Sequence, residues 1–244
     1  MNRSAPALID LRGVSYAPEG KEILHGLELR ARERRIGIVG RNGSGKTTLA
    51  RVMAGLVAVH GGEVRIAGVD VARDRKAALG LVGILFQNPD HQIIFPTVEE
   101  EIAFGLIQMG LPRDVVQAKV ADILASFGKD HWARAAIHQL SQGQRQLVCL
   151  MSVLVMEPRV IILDEPFAGL DIPTTHQLRR VLAGLDVMLV LITHDPSALE
   201  GYDRVVWLDR GAVVQDGPAD AVLTAFAQRM TTLGASDDLT HIPG

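Results

Sequence analysis

The sequence predicts an α/β fold: a mainly parallel sheet flanked by helices and interrupted by a helical subdomain. Three observations carry this. Two continuous apolar runs, Arg159 to Leu163 and Val187 to Thr193, read as strands covered on both faces. A glycine-rich loop, Gly40-Arg41-Asn42-Gly43-Ser44-Gly45-Lys46-Thr47, joins a short β-rich run to a helical pattern. From Pro96 to Met156 the apolar periodicity is helical, with no strand between. A chain of 244 residues, 48% of them apolar, can bury a sizeable core.

The elements follow in order. Leu8 to Val14 alternates and reads as a strand, as does Leu27 to Ala31. Arg35 to Val39 is the short run that ends in the glycine loop, and the helical pattern then holds from Gly45 to about Gly55. Glu63 to Ala67 and Leu81 to Phe86 are further strands. Thr97 with Glu100 predicts a capping box at the start of the first helix of the insertion. A second helix runs from near Arg113, after Pro112, to near Gly128. A third begins at Ser141, with Gln144 as the partner of a second capping box. Val205 to Asp209 and Ala212 to Gln215 predict an edge hairpin turning at Arg210-Gly211. A helix from Pro218 to Met230 closes the fold, and Ser236 to Gly244 reads as a frayed tail. The expected organisation is one domain over 1–244: a core of 1–87 and 159–230, a helical subdomain of 88–158 and a short tail of 231–244.

Bulk properties exclude several classes. Charged residues are 22% and the net charge is −3, so no basic excess draws the chain to nucleic acid. The densest basic run, Arg30 to Arg35, is broken by Glu33 and reads as a solvated face. A single cysteine, Cys149, excludes an internal disulfide and agrees with a reducing compartment. It lies in an apolar helical run, which predicts an inert core thiol. Met1 to Pro6 lacks the apolar segment of a signal peptide. The longest nearly apolar run, Leu147 to Met156, is about half of what a bilayer span needs. Apart from His194, the histidines have no metal-ligand spacing and read as surface or packing residues.

The glycine loop carries the chemistry of phosphate binding. Its glycines allow tight turns that aim backbone N–H groups inward, and the helix N-terminus adds positive potential. Lys46 is expected to reach the β- and γ-phosphates, and the Thr47 hydroxyl to bind Mg²⁺; Thr48 follows in the first helical turn of the same nucleotide-binding set. Val160 to Glu165 is an apolar run ending in two carboxylates. Asp164 can reach the Mg²⁺ shell and Glu165 can act as general base on an attacking water. The other reading of the pair is a helix cap ahead of Pro166. Kinases, GTPases, helicases and transport ATPases all use such a phosphate loop.

Leu140-Ser141-Gln142-Gly143-Gln144 narrows the choice. It stands about a hundred residues after the phosphate loop and just before the strand ending in Asp164-Glu165. That order resembles the ATP-binding-cassette (ABC) ATPases, whose signature reads LSGGQ. Four further features stand in sequence. Gln87 is placed like the Q-loop glutamine, Ala168-Gly169-Leu170-Asp171 like the D-loop, and Ile192-Thr193-His194-Asp195 like the H-loop. Tyr16, ahead of the glycine loop, is placed like the aromatic that stacks on adenine. The resemblance runs from about Leu8 to Leu223. It implies a P-loop NTPase fold: a RecA-like core with a mainly parallel sheet, an antiparallel β subdomain and an inserted α-helical subdomain. It implies ATP hydrolysis with Mg²⁺, Gln87 sensing Mg²⁺ and γ-phosphate, His194 touching γ-phosphate and Asp171 at a dimer interface. It also implies that Ser141, Gly143 and Gln144 close over the ATP of a second subunit. Physical reasoning agrees for two of these: Ser141 sits at a helix N-terminus, and Gly143 admits phosphate without a Cβ. Gln142 replaces a family glycine, and its side chain is expected to point away.

The stretch from Phe86 to Gly105 resembles the FQNPDDQ…TVEEDIAFG segment of energy-coupling-factor (ECF) importers. That likeness implies an ATPase subunit powering uptake of a vitamin or of cobalt or nickel. It implies a groove here for a transmembrane T-component, beside a separate S-component that holds the substrate. Ile93, Ile94 and Phe95 suit such a groove; ordinary core packing is the other reading. The chain is shorter than many ECF ATPases with an added C-terminal segment, which leans towards a cobalt, nickel or biotin system. Expected partners are a second copy (or a paralogous ATPase) and the two membrane components, with no nucleic acid. The expected location is the cytoplasmic face of the cell membrane. Alternatives are a conventional ABC importer with a binding protein and, more remotely, a soluble ABC ATPase without transport.

Overall fold

The structure is a computed structural model and describes residues 8–236. Met1 to Pro6, and the expected tail from residue 237 onward, lie outside the described residues. Two sheets form the frame. The first is antiparallel: β1 (Ile9–Tyr16), β2 (Leu24–Ala31), β4 (Gly61–Ile66) and β5 (Val69–Asp70), in the order β2-β1-β4-β5. The second has six strands: β3 (Arg35–Val39), β6 (Val82–Leu85), β7 (Val160–Asp164), β8 (Met188–Thr193), β9 (Arg204–Asp209) and β10 (Ala212–Pro218). Its order is β10-β9-β3-β8-β7-β6, parallel except for the edge hairpin partner β10.

The apolar strands of this second sheet divide by twos. Val160 and Ile162 of β7, with Met188, Val190 and Ile192 of β8, enter a core shared with the antiparallel sheet and helix α1 (Lys46–Met53). Ile161, Leu163, Leu189 and Leu191 enter a second core on the other face. That period of two, with both faces covered, is why these strands read as unbroken apolar runs. The second core holds α3 (Val98–Gln108), α4 (Arg113–Ser126), α5 (Gln142–Leu154), α6 (Ile172–Ala183) and α7 (Ala219–Ser236). Trp207 of β9 meets Phe226 of α7 edge-on, ring centroids 5.5 Å apart. The α/β core with a helical insertion between β6 and β7 is the architecture the sequence predicts.

Several local expectations change. Strands β1 and β2 run longer than the alternating pattern indicates, because β1 carries register shifts between Leu11 and Tyr16 that break the alternation while pairing continues. A short helix, α2 (Arg75–Leu79), capped by the Asp74 carboxylate on the Ala77 N–H, and helix α6 were not read from the sequence. Helix α7 continues past Met230 to Ser236. The capping box at Thr97 does not form: Thr97 is the N-cap residue, but its hydroxyl donates to the Glu100 carboxylate at 2.5 Å. The basic run is not wholly solvated either. The Arg35 guanidinium donates to the carbonyls of Leu185 and Val187, both at 2.8 Å, and reaches those ending α6. A cation at a helix C-terminus meets the negative end of its dipole. Cys149 is buried as expected, and burial pushes its thiol pKa up. No helix among the described residues is long and apolar enough to cross a membrane.

Candidate functional site

Strand β3 delivers the glycine loop to the C-terminal edge of the parallel sheet, where α/β proteins place ligands. Gly45 is the N-cap of α1 with φ +98°, a conformation that an L side chain rarely adopts. It turns Lys46 back over the loop. The Lys46 ammonium is buried and donates to the carbonyls of Gly40 at 2.7 Å and Arg41 at 2.9 Å. Desolvation pulls its pKa down, and the carboxylates of Glu165 and Asp164 oppose that. Ser44 is buried beneath the loop, while Arg41, Asn42, Gly43 and Thr47 are exposed and Thr48 is half-buried.

Asp164 ends β7 beside this loop. It is 3% exposed, and its Oδ1 has no hydrogen-bond partner. Burial pushes its pKa up, and a hydrogen bond from the Thr47 hydroxyl and the charge of Lys46 act the other way. Thr47 and Asp164 therefore form a pair of hard oxygen donors with one buried lone-pair position open, which suits Mg²⁺. Among the described residues no preformed cluster of acidic, histidine or cysteine ligands exists elsewhere.

Glu165 follows in a strained turn with φ +50°, held by its N–H on the Ile192 carbonyl. Both carboxylate oxygens are oriented. Oε2 accepts from the Thr193 hydroxyl at 3.1 Å, and Oε1 lies 2.8 Å from His194 Nδ1. Pairing with an ionised carboxylate puts the hydrogen on Nδ1 and leaves Nε2 of His194 facing outward. Thr193 was not singled out from the sequence. Its signal is a hydroxyl at the end of an otherwise apolar strand.

Gln87 lies exposed two residues beyond β6. The residues around it are tied to α5. Gln146, 1% exposed, donates to the Phe86 carbonyl at 3.2 Å, and Arg145 lies 3.2 Å from Asp90. Neither partner was read from the sequence, although a glutamine beside Leu147-Val148-Cys149-Leu150 was the available signal. Of the three apolar candidates, only Ile94 is exposed, at 69%. Ile93 packs on the core and Phe95 against Phe104, centroids 5.1 Å apart. The buried Glu101 accepts the N–H groups of Ile94 (2.8 Å) and Phe95 (3.0 Å). Ile94 edges a cavity of about 350 Å³ lined also by Phe86, Gln92, Phe104 and Met156.

The capping box at the N-terminus of α5 forms as expected. Ser141 Oγ accepts the Gln144 N–H and Gln144 Oε1 accepts the Ser141 N–H. Within its own chain Gly143 packs closely on α6: a Cβ there would lie 2.4 Å from Thr174 Cγ2. Gln142 lies against the same chain's 168–171 segment, its Nε2 3.4 Å from the Ala168 carbonyl and its amide packed on Gly169. Asp171 caps α6 by accepting the Thr174 N–H at 2.9 Å, and its hydrogen bonds with Thr174 lower its pKa. Ser141, Gly143 and Gln144 open on a recess of about 250 Å³ whose lining includes Lys129, Trp132 and Thr174 but no glycine-loop residue. Tyr16 is half-buried at the end of β1. Its carbonyl accepts the Ile23 N–H at 2.8 Å, and Ile23 in turn backs onto Gly45.

Comparison with known proteins agrees on one family. A family model described as ABC transporter matches residues 24–168. The chain is 52% identical over 225 residues to the biotin transport ATP-binding protein BioM of Rhodobacter capsulatus, covering 92% of this chain and 96% of that one. It is 36% identical to the energy-coupling factor transporter ATP-binding protein EcfA of Methanothermobacter thermautotrophicus, over 86% of this chain and 70% of that one. Among solved structures, cbiO1 of Clostridium perfringens, described as part of the ABC transporter complex cbiONQ, superposes with a TM-score of 0.76. It is 28% identical and covers 95% of this chain and 96% of that one.

Proposed function

The chain belongs to the ABC transporter family, and from that membership we propose that it is the ATPase subunit of an energy-coupling-factor importer for biotin. It binds ATP, hydrolyses it and passes the resulting motion to membrane components on which it docks. The observation that carries this is the Glu165 carboxylate, held by Thr193 and His194 beside Asp164, Thr47 and Lys46.

Each residue has a role that follows from its geometry. The Lys46 partners, two loop carbonyls, are weaker acceptors than a triphosphate, so ATP draws the ammonium onto its β- and γ-phosphates. Backbone N–H groups of the loop and the first turn of α1, including Thr48, cradle the phosphates. Thr47, Asp164 and Gln87 would hold Mg²⁺, which supplies charge neutralisation on the phosphates when bound. Glu165 takes the proton of the attacking water, and its two fixed oxygens limit where that water stands. His194 presents Nε2 towards the γ-phosphate. Tyr16 carries the adenine.

Ser141, Gly143 and Gln144 line a recess to which the chain's own glycine loop contributes no residue. They serve the ATP of a second subunit in a head-to-tail dimer, across which Asp171 reaches. A homodimer then has two such sites. Ile94 and its cavity receive a transmembrane T-component, with an S-component holding the cargo, on the cytoplasmic face of the membrane. The identity to BioM favours biotin over cobalt or nickel as cargo.

Glu165→Gln, which keeps the size and shape of the side chain but removes the base, should trap an ATP-bound dimer on size-exclusion chromatography with Mg²⁺ and ATP. A variant that stays monomeric and hydrolyses at the wild-type rate overturns the scheme. Cargo is tested by purifying the assembled importer and identifying its ligand: biotin is expected, and bound cobalt or nickel contradicts the assignment.

A further inference from the structure

Tyr16 does not stand alone. His60, in the turn that leads into β4, meets its ring edge-on, with centroids 5.3 Å apart and planes at 61°. His60 is itself fastened on both sides of Tyr16. Its backbone N–H donates to the Ser15 carbonyl at 2.9 Å, and its ring Nδ1 accepts the Ala17 N–H at 3.1 Å. Because Nδ1 accepts, the neutral ring carries its hydrogen on Nε2. The edge-on contact is the favoured arrangement for two such rings. Tyr16 is thus fixed in position by the pairing of β1 and in ring plane by a histidine anchored to its two sequence neighbours.

Resting on the reading that Tyr16 carries the adenine, we infer that His60 is a positioning residue for nucleotide binding. It holds the plane of the Tyr16 ring so that the base meets a preset platform. Its hydrogen bonds and ring contact are to Ser15, Tyr16 and Ala17, away from Lys46, Asp164 and Glu165, so its effect falls on the base and not on the chemical step. A freely turning tyrosine loses side-chain freedom each time ATP binds; one already fixed by His60 does not. His60 is exposed, and alanine at this position keeps its backbone bond to the Ser15 carbonyl.

The test compares His60→Ala, Tyr16→Ala and the double variant in the full chain, reading KM and kcat for ATP, inhibition by inorganic triphosphate, and Tm. Inorganic triphosphate binds the glycine loop but has no base. His60→Ala should raise KM for ATP on the order of three- to tenfold, with kcat and the triphosphate inhibition unchanged. Added to Tyr16→Ala it should do nothing further, since a residue acting through Tyr16 has nothing left to act on. If Tyr16→Ala leaves KM unchanged, the adenine reading fails and the inference goes with it. If Tyr16→Ala raises KM and His60→Ala does not, the inference alone is overturned. Equal weakening of ATP and triphosphate by His60→Ala, or additive effects in the double variant, assigns His60 a general structural role and also overturns it.

Discussion

Gly143→Ala separates two reasons for a glycine in the signature. One is approach of a phosphate to bare backbone; the other is the close packing of α5 on α6. The added Cβ would lie 2.4 Å from Thr174 Cγ2. Ordinary carbon–carbon contact needs about 3.5–4.0 Å, so the Thr174 side chain or one of the helices must give by roughly 1 Å. Overpacking of this kind costs about 1–3 kcal/mol. Alanine returns up to ~1 kcal/mol of helix propensity, and less in a first turn. The net expectation is a loss of about 1–2 kcal/mol, or a Tm lower by about 2–4 °C for each kcal/mol in a chain of this size. Thr174→Ser removes the obstructing methyl and keeps the hydroxyl that bonds Asp171. Added to Gly143→Ala it should restore most of the lost stability in urea unfolding. ATPase activity at saturating Mg²⁺ and ATP should nevertheless stay low in the double variant, because the new methyl still stands where the partner's phosphate approaches. Wild-type stability in Gly143→Ala would refute the packing argument. Full activity in the stable double variant would refute the phosphate argument and leave the glycine a packing residue.

Two further predictions concern charge and the departed letter of the signature. Gln142→Gly should leave ATPase activity within a few-fold, since its weak contact at 3.4 Å to Ala168 holds no phosphate-facing group; a loss beyond about tenfold, or ~1.4 kcal/mol in barrier, contradicts this. Asp164→Asn should abolish hydrolysis while raising the Tm of the nucleotide-free chain, because it removes a desolvated charge. The sign in pH follows from the raised native pKa. The folded state binds this proton more tightly than the unfolded chain, so wild type loses stability as pH rises through the native pKa. Asp164→Asn should remove that part of the slope, and an unchanged pH–Tm profile would show that the carboxylate is not the source.

What could be read from the sequence was what depends on neighbours in the chain. The Ser141 capping box needs only four consecutive residues and a helix to cap, and it forms. The same pattern at Thr97 fails because Thr97 and Glu100 bond to each other, while Glu101 turns to the N–H groups of Ile94 and Phe95. No window of local sequence decides between those two uses of adjacent glutamates. The parallel strands were legible because two buried faces leave an unbroken apolar run. Helix α6 was not, since its start resides in the Asp171 cap on Thr174, in a segment read for its motif. His60 gave no signal at all: its partners lie more than forty residues earlier, on a strand whose pairing only the fold supplies.

The placement of Arg145 and Gln146 bears on how the two ends of the proposed machine communicate. They directly follow the capping box at the N-terminus of α5, and they grip the 86–90 segment through the Phe86 carbonyl and Asp90. Gln146 is 1% exposed and its Oε1 has no partner, which costs about 1–3 kcal/mol relative to a satisfied group. An apolar side chain of similar length would fill the same space without that penalty, but it could not hold a carbonyl. On the proposed reading, Ser141 is drawn towards a partner's ATP, and any displacement of the first turn of α5 is imposed on Phe86 and Asp90 in the same step. Ile94 follows, because its N–H is fixed to Glu101 on α3, which packs on α5. The exposed apolar residue at the groove and the serine at the signature are therefore joined through one continuous set of contacts. On the same reading Gln87, which lies between the two anchored residues of the 86–90 segment, links that set of contacts to the nucleotide of its own chain.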